Sequence, residues 1–138
     1  MGIRRRAREL ALQALYQTDL LDQWDKDVPA ELHRYQPCHE QTYSFANRLF
    51  QLVLQKRPHI DHLLEGYADR WTIPRMNVVD RNILRIAACE ILFCEDIPRT
   101  VSINEAIELA KLYSSKDTAS FLNGILDRIR RNQDTQEE

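Results

Sequence analysis

The 138-residue chain is long enough for one hydrophobic core, and its net charge of -2 excludes a protein that coats nucleic acid through its overall charge. With 43% hydrophobic residues but only three glycines and five prolines, the composition favours an all-helical domain. No apolar run reaches the length of a membrane span, and Arg8, Glu9 and Gln13 interrupt the segment where a signal peptide would be apolar. We therefore expect a cytoplasmic protein that is not inserted in a membrane.

The first predicted helix begins with a basic cluster. Its buried face recurs at helical spacing in Ala7, Leu10, Ala11, Ala14, Thr18 and Leu21. The cluster consists of four cations with no acid among them, namely Arg4, Arg5, Arg6 and Arg8. Cations oppose the dipole at a helix N-terminus, so the cluster predicts either contact with an external anion, such as nucleic-acid phosphate, or a solvated and partly frayed terminus.

The periodicity fades over residues 22–41, where we expect a loop with one short helix that begins near Pro29. Apolar residues from Tyr43 onward then predict a long helix that ends at Arg57. Pro58 is expected to stop that helix and to open another, which extends to Trp71.

Residues 77–94 predict the central helix of the domain. The segment is apolar on nearly every side after Arg85, so other helices must surround it, and Pro74 and Pro98 limit its length. Arg81 and Arg85 share one face, where like charges repel unless an anion meets them. Either a carboxylate of the same chain or a partner protein supplies that anion, or the face is simply solvated.

The last part of the chain predicts two more helices. Ser102 and Glu105 have the spacing of a capping box, and Asp117 is a candidate N-cap for the last helix. Gly124 lies inside that helix and predicts a close helix crossing. Residues 132–138 are polar and predict a disordered tail.

No pattern of a catalytic or metal site emerges. The three cysteines, Cys38, Cys89 and Cys94, have neither a metal-binding nor a disulfide spacing, and the four histidines match no zinc pattern. The glycines form no phosphate loop, and no nucleophile has an evident base, so we expect neither an enzyme nor a cofactor. Phe121, framed by Lys111, Lys116 and Arg128, predicts either an RNA base stacked on the ring or a core position.

Four segments in order resemble the NusB family of transcription antitermination factors: residues 4–16, 79–87, 97–98 with 101–111, and 121–127. The resemblance implies an all-α domain over residues 1–131, built as two packed helical subdomains with about seven helices. It also implies a non-enzymatic role. Members of this family join a small-subunit ribosomal protein, called NusE in this role, and the pair binds the single-stranded boxA element of nascent RNA. The transcribing RNA polymerase then reads through terminators, notably in ribosomal RNA operons.

By that resemblance, RNA would contact Arg4, Arg5, Arg6, Arg8, Lys116, Asp117 and Phe121, and NusE would contact Tyr67, Arg70 and Asp80. Cys89 departs from the family, which commonly has tyrosine there. Two alternatives stay open: a structural helical homo-oligomer, such as a homodimer formed through the RNA face, and an accessory domain related to the N-terminal domains of RNA cytosine methyltransferases. For the second, we expect no cofactor-binding domain within 138 residues.

Overall fold

A computed structural model describes residues 2–68 and 73–137, and over these residues the chain is all-α, as predicted. The helices are α1 (Ile3–Leu21), α2 (Val28–Tyr35), α3 (Glu40–Tyr67), α4 (Val78–Phe93), α5 (Arg99–Tyr113) and α6 (Lys116–Glu137), with one 3-10 turn at Ile73–Arg75. Helices α1 to α3 pack together, as do α4 to α6, and α4 also contacts α1 and α3. This arrangement confirms two packed helical subdomains. Among the described residues, no helix combines the length and apolar character needed to cross a bilayer.

Helix α4 is the predicted central helix, with the predicted limits. Asn77 caps its beginning, where its Oδ1 accepts a hydrogen bond from the Asp80 amide at 2.8 Å, and Cys94 follows its end. Every residue from Asn82 to Ile91 is buried. Because the helix is enclosed on all sides, it fixes the positions of α1, α3, α5 and α6 relative to one another.

The charges of Arg81 and Arg85 on α4 are neutralised within the chain. Asp19 of α1 accepts hydrogen bonds from Arg81 at 2.6 Å and from Arg85 at 2.8 Å, and Asp61 of α3 accepts two bonds of 2.8 Å from Arg85. Of the two predicted sources of the anion, the internal carboxylate is therefore correct. Asn82 also donates to Asp19, so this network joins the two subdomains.

The predicted break at Pro58 is wrong, because α3 continues through it to Tyr67. Proline removes one hydrogen bond of a helix. Ile60 and Leu64, which follow Pro58, are fully buried, and burial of each such side chain contributes about 1.5–3 kcal/mol. The apolar face therefore outweighs the missing hydrogen bond.

The predicted first residues and N-caps of the two helices that follow Pro98 also need correction. Helix α5 begins at Arg99, so Ser102 and Glu105 are not a capping box: the Ser102 hydroxyl donates to Glu90 at 2.8 Å, and Glu105 pairs with Arg5. Helix α6 begins at Lys116. Its first turn is capped by Ser115, whose Oγ accepts from the Thr118 amide at 3.0 Å, and not by Asp117.

The predicted disordered tail also differs from the structure, in which α6 continues to Glu137. Arg99 of α5 forms ion pairs with Asp134, at 2.8 Å, and with Glu137. Arg130 adds a pair with Asp134 at 2.9 Å within α6. These ion pairs stabilise the polar end of α6, and the partner in α5 could not be predicted from the sequence of residues 132–138 alone.

Candidate nucleic-acid interface

Three of the four N-terminal arginines lie on the surface at the beginning of α1. The side chains of Arg4, Arg5 and Arg6 are each about half exposed, at 48%, 46% and 48%. The first turn of α1 contains no acidic residue, and the Gly2 N-cap provides no side-chain hydrogen bond. The positive end of the helix dipole and the three cations therefore act in the same direction and attract an anion.

Each exposed arginine has a carboxylate partner. Arg4 pairs with Asp96 at 3.2 Å, Arg5 with Glu105 at 3.0 Å, and Arg6 with Glu9 at 3.5 Å. The hydrogen bond from Arg5 to Glu105 raises the pKa of Arg5, so this side chain stays charged. Because these arginines are about half exposed, their ion pairs contribute little to stability, and a phosphate can replace the carboxylates at small cost.

Arg8 has a different environment from its neighbours. Its side chain is 4% exposed, and its Nε and Nη2 each donate a 2.8 Å hydrogen bond to the Glu90 carboxylate of α4. Glu90 also accepts the bond from Ser102 of α5. Arg8 therefore lies in the interior, where it joins α1 to α4 and α5, and the expectation of a surface contact for Arg8 does not fit this geometry.

An apolar groove of about 290 Å³ lies beside Arg6, one of the three exposed arginines. Tyr16 of α1 and Tyr113 of α5 line it, with 41% and 49% of their surfaces exposed, and Arg6 lies at its edge. The Tyr113 hydroxyl donates to Glu9 at 2.8 Å, and this bond raises the pKa of Tyr113. Exposed aromatic rings next to cations can stack RNA bases while the cations contact phosphate.

Sequence reasoning missed both tyrosines as functional candidates. Tyr16 lies on the polar face of α1, at helical spacing from Glu9 and Gln13, and an aromatic side chain on a polar helix face is a usable signal. Tyr113 lies more than ninety positions after Tyr16 in the chain, and only the fold brings the two side chains to the same groove.

His33 and the three cysteines have structural environments rather than those of metal ligands. His33 Nδ1 accepts from the Cys38 amide at 3.3 Å, and its ring stacks on Tyr43, with 4.5 Å between the ring centroids. Cys89 and Cys94 are buried in or beside α4, and burial raises the pKa of both thiols. Within residues 2–68 and 73–137, no three histidine, cysteine or acidic side chains converge as metal ligands do.

Comparison with known proteins decides the family. The sequence model of the NusB family matches residues 5–131. The chain belongs to the NusB family. A transcription antitermination protein NusB of Trichlorobacter lovleyi is 46% identical to it over 129 residues, which cover 94% of this chain and 91% of the relative.

Solved NusB structures share the fold. NusB of T. maritima superposes with a TM-score of 0.82 at 38% identity, covering 93% of this chain and 90% of that one. A crystal structure of the antitermination factors NusB and NusE in complex with dsRNA gives a TM-score of 0.86 at 25% identity, covering 96% of this chain and 98% of that one.

A second candidate region of this NusB-family chain lies where α4 and α6 begin. Asp117 and Phe121, predicted to contact RNA, line a cavity of about 450 Å³ together with Asp80, predicted to contact NusE. Phe121 is 37% exposed, and Lys116, at the first position of α6, is exposed. Asp80 Oδ2 accepts from Asn77 at 3.0 Å, whereas its Oδ1 is buried and accepts no hydrogen bond from the described residues.

The predicted NusE-facing residues do not all meet. Tyr67 lines a separate cavity of about 400 Å³ with residues of α6. There Arg128 donates to the Tyr67 carbonyl at 3.0 Å and lies over its ring, and Asn132 donates to its hydroxyl at 2.7 Å. Arg70 lies outside the described residues. Lys111 pairs with Glu108 at 3.7 Å, and Arg128 is engaged by Tyr67, so both of these cations have protein partners.

Proposed function

We propose that this NusB-family chain is a transcription antitermination factor that binds boxA-containing RNA together with NusE. The resulting complex would help the transcribing RNA polymerase to read through terminators, notably in ribosomal RNA operons. The role is one of binding, carried out in the cytoplasm without a cofactor or a catalytic step. The names of its close relatives support the proposal, as does a solved complex of NusB and NusE with double-stranded RNA that shares its fold.

The observation that carries the proposal is the exposed arginine cluster, whose member Arg6 borders a groove lined by two tyrosines. Phosphates of a single strand would replace the carboxylate partners of Arg4, Arg5 and Arg6, and release of counterions would favour binding. Bases would stack on Tyr16 and Tyr113. Arg8 would act indirectly, because its buried pair with Glu90 holds the beginning of α1 in place.

The cavity between α4 and α6 would complete the assembly. Asp117 and Phe121, which line this cavity, and the preceding Lys116 are proposed to contact RNA, and Asp80 is proposed to contact NusE from the same cavity. The buried Asp80 Oδ1, which lacks a donor among the described residues, could accept a hydrogen bond from a partner. Tyr67 and Arg70 stay predicted NusE contacts.

Fluorescence anisotropy with a labelled boxA oligonucleotide tests this proposal, with NusE present and absent and a scrambled RNA as control. We expect weak binding by the protein alone and tighter, boxA-selective binding with NusE. Tyr16→Ala should lose about tenfold in affinity, because stacking contributes about 1–3 kcal/mol per base, whereas Tyr16→Phe keeps the ring and should bind as the parent does. Equal binding of both RNAs with NusE present would contradict the proposal.

The NusE contact is tested separately by Asp80→Asn, which keeps the shape of the side chain and removes its charge. We expect weaker co-elution with NusE during gel filtration and an unchanged thermal unfolding midpoint. Normal co-elution would remove Asp80 from the interface. A stable dimer of this chain that binds neither NusE nor RNA would favour the structural oligomer instead.

A further inference from the structure

Arg48 of α3 lies close to two arginines of the N-terminal cluster. Three guanidinium groups surround the Phe45 ring, with distances from the guanidinium carbon to the ring centroid of 4.6 Å for Arg4, 5.5 Å for Arg8 and 5.7 Å for Arg48. Arg8 is the buried member. Arg4 and Arg48 are the outer members, with side chains 48% and 41% exposed. The ring therefore holds two exposed cations from different helices side by side.

Arg4 and Arg48 share one carboxylate. Asp96, in the loop between α4 and α5, accepts from Arg48 at 2.6 and 3.0 Å and from Arg4 at 3.2 Å. The bond from Arg48, together with that from Arg4, lowers the pKa of Asp96, so this carboxylate is ionised at neutral pH. Two guanidinium groups facing one carboxylate leave one positive charge uncompensated.

The pair also has unused hydrogen-bond donors. A guanidinium group carries five N–H donors. Arg48 uses Nη1 and Nη2, whereas Arg4 uses only Nη2, and the Nε of both side chains has no hydrogen-bond acceptor among the described residues. Guanidinium groups with free N–H donors are well suited to the oxygens of a phosphate.

The position of the pair extends the surface proposed above. Along α1, Arg4 and Arg6 are separated by about 200° of helical rotation, so they lie on nearly opposite sides of the helix. Arg6 borders the groove of Tyr16 and Tyr113, whereas Arg4 faces α3 and Arg48. A strand that follows the groove to the beginning of α1 and continues past it would next meet Arg4 and Arg48.

We propose that Arg48 joins Arg4 in one phosphate site at the edge of the RNA-binding surface, which extends this surface from α1 onto α3 and in which a backbone phosphate displaces Asp96. The inference rests on the proposed function and adds a longer footprint to it. Arg48 becomes a binding residue for nucleotides beyond the core of the RNA site, and Asp96 becomes the carboxylate that competes with them.

The test measures affinity of the full chain alone at low ionic strength, so that NusE does not enter. The probes are a minimal boxA oligonucleotide and versions extended by a few nucleotides at either end. For the parent, one extension should increase affinity. Arg48→Gln should leave binding of the minimal RNA unchanged, reduce binding of that extended RNA roughly threefold, and lower its salt slope by about 0.7.

Asp96→Asn should have the opposite effect and strengthen binding of the extended RNA, because the competing carboxylate is gone. The matched control is Arg131→Gln on α6, where Arg131 shares Asp127 with Arg130 in the same way, and it should change neither affinity. Thermal unfolding checks that each variant is folded.

Two results would overturn the inference alone: a parent that binds RNA while Arg48→Gln matches it on every RNA, or weaker binding by a folded Asp96→Asn. A parent that binds none of the RNAs, alone or with NusE, would overturn the proposed function and this inference together.

Discussion

Arg6 and Arg8 lie two residues apart on α1, yet they have opposite environments. Arg6 is half exposed and has one long contact of 3.5 Å to Glu9, whereas Arg8 is buried and makes two bonds of 2.8 Å to Glu90. The same contrast separates two regions: the exposed cluster Arg4, Arg5 and Arg6, and the buried ion pairs centred on Glu90 and Asp19. An arginine that can exchange its carboxylate is available for RNA, and one that cannot holds helices together.

The largest expected effect comes from breaking the buried pair. Glu90→Ala leaves Arg8 charged, buried and unpaired, and should lower the free energy of unfolding by about 3–5 kcal/mol, measured by urea denaturation. Replacing both partners, as Arg8→Met with Glu90→Leu, should recover most of that stability, because neither partner is then left as an unpaired buried charge. A decrease below about 1 kcal/mol for Glu90→Ala would contradict the structural role assigned to Arg8.

The Asp19 network should show the next largest effect, together with a pH dependence. Burial alone would raise the pKa of Asp19, but the hydrogen bonds from Arg81 and Asn82 and the charges of Arg81 and Arg85 outweigh it and lower the pKa. Asp19→Asn should lower the free energy of unfolding by about 2 kcal/mol at pH 7. Because the folded pKa lies below the unfolded value, this stabilisation is present above about pH 4 and is lost as the pH falls further.

Urea denaturation of parent and Asp19→Asn between neutral and acidic pH checks this prediction. The two stability curves should converge as the pH falls, since the parent protonates Asp19 and loses the same contribution. Parallel curves would show that the ionised Asp19 adds no stability.

Gly124 lies outside both regions, and its substitution shows how much the free energy of unfolding changes when no charge is removed. Gly124 was predicted to mark a close helix crossing, but a Cβ atom added there would meet nothing within 4 Å. Gly124→Ala should therefore stabilise the protein by about 0.5–1 kcal/mol through the higher helix propensity of alanine. Thermal unfolding measures this change in stability. Destabilisation by Gly124→Ala would instead support the predicted close helix crossing.

The smallest effect on stability is expected at the exposed cluster itself. The triple variant Arg4→Gln, Arg5→Gln, Arg6→Gln should have the same urea midpoint as the parent, because the three arginine side chains are about half exposed and the cations oppose the helix dipole. A destabilisation as large as that of Glu90→Ala would show that these arginines are structural and would remove the contrast on which the site assignment depends.

The sequence predicted what depends on local pattern. The apolar periodicity of α4 and its flanking prolines predicted its limits, and the buried face of α1 was correct except at Leu21, which is 54% exposed. It did not predict which arginines face water, because Arg8 and Glu90 are 82 residues apart in the chain. Arg99 likewise stabilises the last turns of α6 from the beginning of α5, so the polar composition of residues 132–137 was a poor guide to their structure.

The most direct test of the central claim is the salt dependence of boxA binding by the parent and by Arg5→Gln with Arg6→Gln. The control is Arg130→Gln with Arg131→Gln, which removes the same charge from α6. If the beginning of α1 binds phosphate, the first variant should bind more weakly, and its plot of log affinity against log salt should be shallower by about 0.7 for each phosphate that it no longer neutralises. Coincident plots for the parent and this variant, with folding intact, would contradict the account.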